Sequence, residues 1–493
     1  MSERLLARVR GLLDDAEQLG PTALGDLREI RARLDGPLRV AVAGRLKAGK
    51  STLLNALIKE RIAATDAGEC TRVVTWYRWG PVYGVSLIPA DGSAPEPVSF
   101  GRGERELDID LGHRTPGEVR RLEVERPSDA LRQLLLLDTP GLDSSTQDVS
   151  DRTIEALGPG GSSGEADAVI YLIRHLHPSD VTFLESFYDE IAFGDVVVNA
   201  ACVVSRSDEI GDCRVNSMTV ARRVAERYRD DPRIRSRSQT VLPVAGLLAE
   251  GAEALTEADF DAFRTMAAAD RPTIFDGLVS AERFVGEGSV LGLEHARRQQ
   301  LLDRFGLFGV RCSVELLRVG AVSDSTELSH RLADLSGISD LRDLLERQFM
   351  ARGQVLKARS ALQAIAELAM RSGPAGRPVL ERARDTMFGA HEFTELSALH
   401  ELRQLTVDDA FERAHAERLL GADGPDPAAR LGAAIDTPAD ELRRACLEEI
   451  GYWKGLSEDP IMRRRERDLA RAVTQSCEAV LMALTPTAPG ASA

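Results

Sequence analysis

Cysteine is scarce in this chain, and its spacing matches neither a disulfide framework nor a metal-binding motif. The 493 residues hold six cysteines, none of them in a CxxC arrangement: Cys70, Cys202, Cys213, Cys312, Cys446 and Cys477. This scatter excludes a zinc site with the usual paired spacing. We therefore expect reduced thiols with structural roles, as is usual in a reducing compartment.

Long hydrophobic runs are also absent. No apolar stretch approaches the ~18 residues that a membrane-spanning helix needs, and the longest ones, such as 134–137, predict buried strands. The first residues lack the apolar core of a signal peptide, and acidic residues come early, at Asp14 and Asp15. We expect a cytoplasmic protein whose membrane contact, if any, is peripheral.

An excess of basic residues is the third thing that the chain lacks. It has 62 Lys and Arg against 78 Asp and Glu, a formal net charge of −16. This balance argues against nucleic acid as a partner and requires any contact with an anionic bilayer to be local. Hydrophobic residues make up 43% and charged residues 28%, as in a soluble globular protein.

A glycine-bounded loop between an apolar stretch and a helical pattern is the most informative feature that is present. Residues 40–43 are apolar, residues 44–51 read GRLKAGKS, and a helical pattern follows. This is a phosphate-binding loop in the strand–loop–helix context that supports it. Glycines let the backbone approach phosphate oxygens, and the helix N-terminus favours an anion. We predict nucleotide contacts from Gly44, Lys47, Ala48, Gly49, Lys50, Ser51 and Thr52.

The same loop and two later segments predict a magnesium site. Lys50 can reach the β- and γ-phosphates, and the Ser51 hydroxyl can ligate Mg²⁺. Asp138 ends a run of four leucines and opens Asp-Thr-Pro-Gly, so it can hold Mg²⁺ through water while the Gly141 amide binds the γ-phosphate. Between them, Thr71 is our candidate for a third Mg²⁺ ligand that senses the γ-phosphate, with Thr65 as the alternative.

Selection of the base is predicted at 205–208, Ser-Arg-Ser-Asp, after the apolar stretch 201–204. At this position GTPases carry Asn/Thr-Lys-x-Asp, in which the aspartate accepts hydrogen bonds from guanine. Asp208 fits that role, and the Arg206 side chain could stack on the ring, whereas Ser205 and Arg206 depart from the usual pattern. Ala245, just after the next apolar stretch, is our candidate for a backbone amide at the guanine carbonyl. The predicted ligand is therefore GTP or GDP with Mg²⁺.

The fold class follows from an alternation of strand and helix signals. Strands are predicted near 38–43, 72–79, 133–138, 168–174, 199–205 and 240–244, with helical patterns between several of them. This order is typical of a largely parallel sheet flanked by helices. Residues 1–35 and most of 255–485 have helical patterns, including one long helix from about 341 to 369. Residues 158–164 are predicted to be a flexible loop.

The ordered motifs resemble the GTPase domain of dynamin-like proteins. GRLKAGKSTLLNAL, ECTR at 69–72 and LLDRFGLFGVR at 301–311 are similar to one bacterial branch, the isoniazid-inducible dynamin-like proteins of mycobacteria and actinobacterial relatives. The resemblance implies an α/β P-loop GTPase domain at 36–340, with a mostly helical extension at about 255–335. It also implies an α-helical neck or trunk formed by 1–35 and 341–485. The composition of residues 486–493 predicts a disordered tail.

The resemblance further implies GTP hydrolysis coupled to self-association and to membrane binding or remodelling. Partners would be a second copy through the GTPase domains or a paralogous dynamin-like protein, with peripheral lipid at the inner face of the plasma membrane. Leu142 stands where many GTPases carry the glutamine that orients water. Lys47 stands where many dynamins place a serine near a monovalent cation, and its ammonium could replace that cation during catalysis.

Two other functions and two membrane segments stay open at this stage. The chain could be a nucleotide-gated scaffold that pairs with a paralogue, or a ribosome-associated GTPase of the Era type, which its acidic balance disfavours. Phenylalanines in 304–309 could form an insertion tip, although helical spacing favours the core. The basic cluster at 463–467 could meet anionic headgroups, although neighbouring acidic residues favour a solvated helix face.

Overall fold

The structure is a computed structural model. It describes residues 2–59, 73–102, 107–109, 111, 114–140, 166–186, 199–287, 291–404 and 410–485. Within these ranges the strands are β1 Leu38–Gly44, β2 Thr75–Trp79, β3 Gly84–Pro89, β4 Glu96–Pro97, β5 Phe100–Arg102, β6 Leu107–Ile109, β7 Val119–Arg126, β8 Leu134–Asp138, β9 Ala168–Ile173, β10 Ala200–Val204 and β11 Val241–Pro243.

The main sheet has nine strands in the order β11-β10-β9-β1-β8-β2-β7-β3-β4. The strands from β11 to β8 pair in parallel, and β2 then pairs antiparallel with β8. β5 and β6 form a separate two-stranded ribbon. The predicted mostly parallel sheet is thereby confirmed, and each of the six predicted strand regions holds a strand.

The described helices of the first part of the chain flank this sheet or follow it. They are α1 Ser2–Ala16, α2 Leu24–Asp35, α3 Lys50–Ile58, α4 Pro178–Ser186, α5 Ser217–Asp230, α6 Pro232–Arg235, α7 Gly246–Glu253, α8 Glu257–Ala267, α9 Arg271–Gly277, α10 Ala281–Val285, α11 His295–Arg318 and α12 Ser325–Ser336. Phe305 and Phe308 on α11 are fully buried in the core formed by α7 to α12, so the segment 304–309 is not an insertion tip.

The C-terminal region is helical, as the sequence predicts. Its helices are α13 Ile338–Leu344, α14 Gly353–Arg371, α15 Arg377–Gly389, α16 His391–Gln404, α17 Ala410–Leu419, α18 Pro427–Leu431, α19 Ala439–Glu458 and α20 Arg464–Leu484. None of the helices that the structure describes is long and apolar enough to cross a membrane.

The prediction of one long helix from about 341 to 369 is wrong. A π-helical turn, Leu345–Met350, separates α13 from α14. The interruption coincides with a change of packing partner. Phe349 is buried in the core beneath the sheet, whereas Leu362 on α14 is buried against α1 and α2. The π turn therefore lies close to the place where the helical segment passes from the first core to the second.

The N-terminal helices are fastened to the sheet by a buried ion pair. Arg33 on α2 donates through Nη2 to Asp167 Oδ1 at 2.8 Å and to the carbonyl of Ala166 at 2.9 Å. The second carboxylate oxygen of Asp167 accepts the Arg39 N–H at 3.0 Å. Because the Asp167 side chain is fully buried, α2 supplies the cation that this carboxylate needs.

Candidate functional site

The glycine-bounded loop follows β1 at the carboxyl edge of the sheet. Gly44 has φ +150°, and a Cβ there would lie 2.9 Å from the carbonyl oxygen of Leu172 on β9. Gly49 has φ +93° and open space around a Cβ position, and it immediately precedes α3. The first position is closed to larger residues by the neighbouring strand, and the second by its backbone conformation.

Lys50 is held inside this loop. Its Nζ lies 3.3 Å from the carbonyl oxygens of Gly44 and Arg45. Burial lowers the pKa of the Lys50 ammonium, and the nearby Asp138 carboxylate opposes that change. A cation kept partly desolvated at the N-terminus of a helix is poised to bind phosphate, since phosphate replaces the lost hydration.

Parallel pairing of β1 with β8 brings Asp138 to the loop, because Asp138 is in register with Val42. Its Oδ2 lies 3.3 Å from the Ser51 hydroxyl. Burial raises the pKa of Asp138 to about 6, while Lys50 and Ser51 pull it down. Thr139 fixes the turn that follows, since its hydroxyl donates to the Val42 carbonyl at 3.0 Å.

The donor set at Asp138 suits a hard divalent cation. Its Oδ1 is buried and has no hydrogen-bond partner within the described residues. A buried carboxylate oxygen without a hydrogen-bond donor destabilises the fold unless a cation or a water molecule binds to it. No group of three or more His, Cys, Asp or Glu in the described parts of the chain could hold a metal alone. Ser51 and Asp138 therefore fit Mg²⁺ that is shared with phosphate oxygens and water.

The predicted base-recognition segment follows β10. Asp208 is 8% exposed, and burial raises the pKa of its carboxyl to about 6. A hydrogen bond stabilises the turn that carries Asp208, since the Ser207 hydroxyl donates to the Val204 carbonyl at 2.7 Å. The Ser205 hydroxyl is buried and has no hydrogen-bond partner in the described ranges. The segment therefore presents a carboxylate and a hydroxyl with which a ligand could form hydrogen bonds.

Arg206 adopts a left-handed backbone conformation with φ +50°. Its guanidinium pairs with Glu209 at 2.9 Å, and Glu209 also pairs with Arg174 at 2.9 Å. The side chain is thus anchored at the rim of the segment, where the sequence predicts stacking on a base.

Ala245 does not offer the amide that the sequence predicts. Its N–H donates to the Ser336 carbonyl at 2.8 Å, which leaves it unavailable to a ligand. The neighbouring Gly246 and Leu247 line the adjacent cavity instead, and Gly246 packs on Thr52 and Leu53 of α3. The segment therefore lies beside the site, but it contributes Val244, Gly246 and Leu247 to the lining of the cavity rather than the amide of Ala245.

One cavity of about 220 Å³ joins the loop to the base-recognition segment. Ala48, Gly49 and Thr52 form one side, and Ser205, Arg206 and Asp208 form the other. Among the lining residues that sequence reasoning did not identify as site residues are Leu172, Glu209 and Leu247. These come from ordinary apolar or charged stretches whose role depends on the pairing of β9 with β1 and on the packing of α7.

Some predicted site residues, with Thr65 as an alternative to Thr71, do not line this cavity or cannot be placed in it. Thr71, Thr65, Gly141 and Leu142 lie outside the described residues. Lys47 is described, and it is exposed on the loop with φ +60°. Its position at the tip of the loop leaves its ammonium accessible.

The comparisons with known proteins agree with these motifs. The profile of the dynamin family matches residues 40–178. The isoniazid-induced protein IniC of Mycobacterium tuberculosis is 37% identical over 460 residues, which are 92% of this chain and 92% of that protein. A bacterial dynamin-like protein of Nostoc punctiforme is 31% identical over 29% of this chain and 21% of its own.

A second mycobacterial relative is more distant. The isoniazid-induced protein IniA of Mycobacterium tuberculosis is 28% identical over 204 residues, which are 40% of this chain and 31% of that protein. The alignment with IniC, in contrast, spans the helical regions as well as the sheet. With a nucleotide-type loop, a dynamin-family match and a relative aligned over nearly its whole length, this chain belongs to the dynamin family, in the branch of the bacterial isoniazid-induced dynamin-like proteins.

Proposed function

We propose that this protein is a Mg²⁺-dependent GTPase that hydrolyses GTP to GDP and phosphate. The observation that carries the proposal is the single cavity that Gly49 of the phosphate-binding loop and Asp208 both line. A nucleotide fits that arrangement because its phosphates and its base must be held at once. The dynamin-family match supports guanine rather than adenine as the base.

The chain's own groups would divide the work of binding. The backbone from Gly44 to Gly49 and the Lys50 ammonium hold the phosphates, with the N-terminus of α3 adding its dipole. Asp208 accepts hydrogen bonds from the two guanine N–H groups, and the Ser205 hydroxyl offers a further hydrogen bond on the same side of the cavity. A buried acceptor of this kind rejects a base without those donors, because the carboxylate would then stay unpaired.

The metal would be held by Ser51, Asp138 and Thr71. When bound, Mg²⁺ neutralises charge on the β- and γ-phosphate oxygens. The hydroxyl of Ser51 and the carboxylate of Asp138 would orient it, and the cation would offset the burial that raises the pKa of this carboxyl.

Hydrolysis should be slow in the monomer. Leu142 cannot orient water as glutamine does, so the remaining stabilisation of the leaving phosphate rests on Lys50, Lys47 and the metal. We propose that self-association through the GTPase domains, or pairing with a paralogue, completes the site. One mycobacterial species has both IniC and the more distant IniA, which is consistent with pairing between related chains.

Phosphate release from GTP and from ATP, with Mg²⁺ or with EDTA, tests the proposed activity. We expect release from GTP alone, loss of release with EDTA, and loss in Lys50→Ala, since one charged phosphate ligand contributes about 10²-fold or more to such a step. Equal release from ATP, or full release from Lys50→Ala, would overturn the proposal.

We also propose peripheral contact with the inner face of the plasma membrane through the turn between α19 and α20. Ile461 in this turn is 92% exposed, and Arg463, Arg464 and Arg465 follow it on the surface. The Asp459 carboxylate accepts the Ile461 N–H at 2.8 Å and fixes the turn. An exposed aliphatic side chain beside basic residues suits an anionic lipid surface.

Co-sedimentation with anionic phosphatidylglycerol vesicles tests the membrane contact. Ile461→Ser should reduce the bound fraction severalfold, whereas Ile435→Ser, at a site that is 93% exposed elsewhere in the helical region, should not. If Ile461→Ser binds vesicles as the wild type does, this turn is not the contact. If the wild type binds no vesicles with or without GTP, a nucleotide-gated scaffold becomes the better account.

A further inference from the structure

The loop that follows Asp208 has an unusual backbone. Gly211, Asp212 and Cys213 have φ values of +74°, +63° and +54°, three left-handed residues in succession. Two of them carry side chains, which disfavour this conformation. Such a run persists only when surrounding contacts impose it, and strain of this kind concentrates at functional sites.

Arg311 on α11 supplies those contacts. Its Nη1 donates to the carbonyls of Asp212 and Cys213, both at 2.7 Å. The same guanidinium donates through Nε to the Leu278 carbonyl at 2.9 Å and through Nη2 to the Val279 carbonyl at 2.9 Å. One side chain therefore ties the strained loop to the segment between α9 and α10.

The same helix passes close to Asp208. α11 is broken at Gly306, which has φ +63° and ψ 170°, a conformation that is essentially restricted to glycine. A Cβ on Gly306 would lie 3.6 Å from Asp208 Oδ2 and 3.5 Å from Leu247 Cδ2. The break thus lets α11 pass close beside the carboxylate and beside a residue that lines the cavity.

We propose that Arg311 is a positioning residue for base selection, which acts by holding the 211–213 loop so that Asp208 points into the cavity. The inference rests on the proposed role of Asp208 in binding guanine. Arg311 does not touch the base. Its planar fork matches four carbonyls on two segments, a geometry that the single ammonium of lysine cannot reproduce.

The chain offers a matched control on the same helix. Arg298 also donates to backbone carbonyls, through Nε to Phe284 at 2.8 Å and through Nη2 to Gly286 at 2.9 Å. These contacts hold the C-terminal end of α10, away from the lining of the cavity. Arg298→Lys and Arg311→Lys therefore remove the same kind of hydrogen bonds from one helix. Only Arg311→Lys removes hydrogen bonds to the loop that follows Asp208.

The ratio of the affinities for GDP and IDP is the informative measurement, because IDP lacks the 2-amino group that Asp208 would accept. A ratio measured on one preparation does not depend on the fraction that is correctly folded. We expect Arg311→Lys to lower the ratio about tenfold, equal to about 1.4 kcal/mol. Arg298→Lys should keep the wild-type ratio.

An unchanged ratio in Arg311→Lys would overturn the inference, as would an equal fall in Arg298→Lys. Asp208→Asn, measured with GDP and XDP, separates this failure from failure of the proposed function. A change of preference in Asp208→Asn together with no effect of Arg311→Lys rejects only the positioning role. No change in Asp208→Asn rejects base selection by Asp208, and the inference with it.

Discussion

At the scale of single residues, Lys47 and Lys59 form a natural pair for comparison. They flank α3, both are exposed, and both have left-handed backbones with φ +60° and +63°. We expect Lys47→Ala to slow GTP turnover about tenfold or more without K⁺, because its ammonium would neutralise charge between the β- and γ-phosphates. Added K⁺ should restore part of the loss.

Lys59→Ala is the control for loss of a lysine in the same backbone conformation, and it should retain wild-type turnover. Unchanged turnover in Lys47→Ala, with K⁺ and without it, would show that Lys47 is only a solvated lysine on the loop.

Asp208 predicts a dependence of stability on pH in the nucleotide-free protein. Its pKa is raised to about 6 from the usual aspartate value of 3.8, because burial disfavours the carboxylate. Between pH 4 and pH 6 the folded state therefore binds a proton that the unfolded state has released. The free energy of unfolding should consequently fall as the pH rises through this window.

Urea unfolding at pH 5 and pH 7 measures this effect. From this group alone the wild type should lose about 1 kcal/mol between the two pH values, and Asp208→Asn should lose correspondingly less. Nucleotide affinity should show the opposite trend and fall below pH 6, since protonation removes the acceptor. Identical pH dependence in the two proteins would contradict the assigned shift.

At the scale of elements, the buried pair between Arg33 and Asp167 decides how firmly α2 holds to the sheet. Arg33→Met leaves the Asp167 carboxylate buried without its cation, which typically costs about 3–5 kcal/mol. Arg10→Met is the matched control, because Arg10 pairs with Asp35 at 2.7 Å with both side chains about half exposed. That pair contributes about 1 kcal/mol or less.

Chemical denaturation of both variants gives the comparison. A large loss for Arg33→Met with almost none for Arg10→Met is expected, and similar small losses in both would show that α2 is not held by this pair.

Four of the six predicted strands, β1, β8, β9 and β10, are mainly apolar and almost fully buried, as is typical of central strands in a parallel sheet. β7, with the sequence VRRLEVER, was not predicted, because its alternating charged residues resemble a solvated segment. It lies beyond β8 in the sheet, where it pairs parallel with β2 and antiparallel with β3.

The site also combines residues that the sequence predicts with residues that it does not. The phosphate-binding loop is contiguous in sequence, so Gly44, Lys50 and Ser51 could be assigned from spacing alone. Arg311 and Gly306 could not, because they lie far along the chain from Asp208. Arg311 also acts through backbone carbonyls, which every residue provides.

At the scale of the whole molecule, the N-terminal helices pack against the middle of the C-terminal helical region. α1 and α2 share one core with α14 and α15, whereas α17, α19 and α20 belong to another. The division into a GTPase domain at 36–340 and a helical neck at 1–35 and 341–485 stays a proposal.

Self-association is the prediction that belongs to this scale. Turnover per molecule should rise severalfold as protein concentration rises, because a second copy would supply what Leu142 cannot. Light scattering alongside phosphate release would relate the rise to assembly. Turnover that stays constant over a hundredfold range of concentration would favour a monomeric enzyme.

The central claim is that Asp208 makes this a guanine nucleotide site, and the preference for GDP over XDP tests it most directly. Xanthine carries a carbonyl where guanine carries the 2-amino group, so an amide at position 208 suits xanthine and a carboxylate suits guanine. We expect the wild type to prefer GDP and Asp208→Asn to prefer XDP, each by at least about tenfold. A variant that keeps the preference of the wild type would contradict the account.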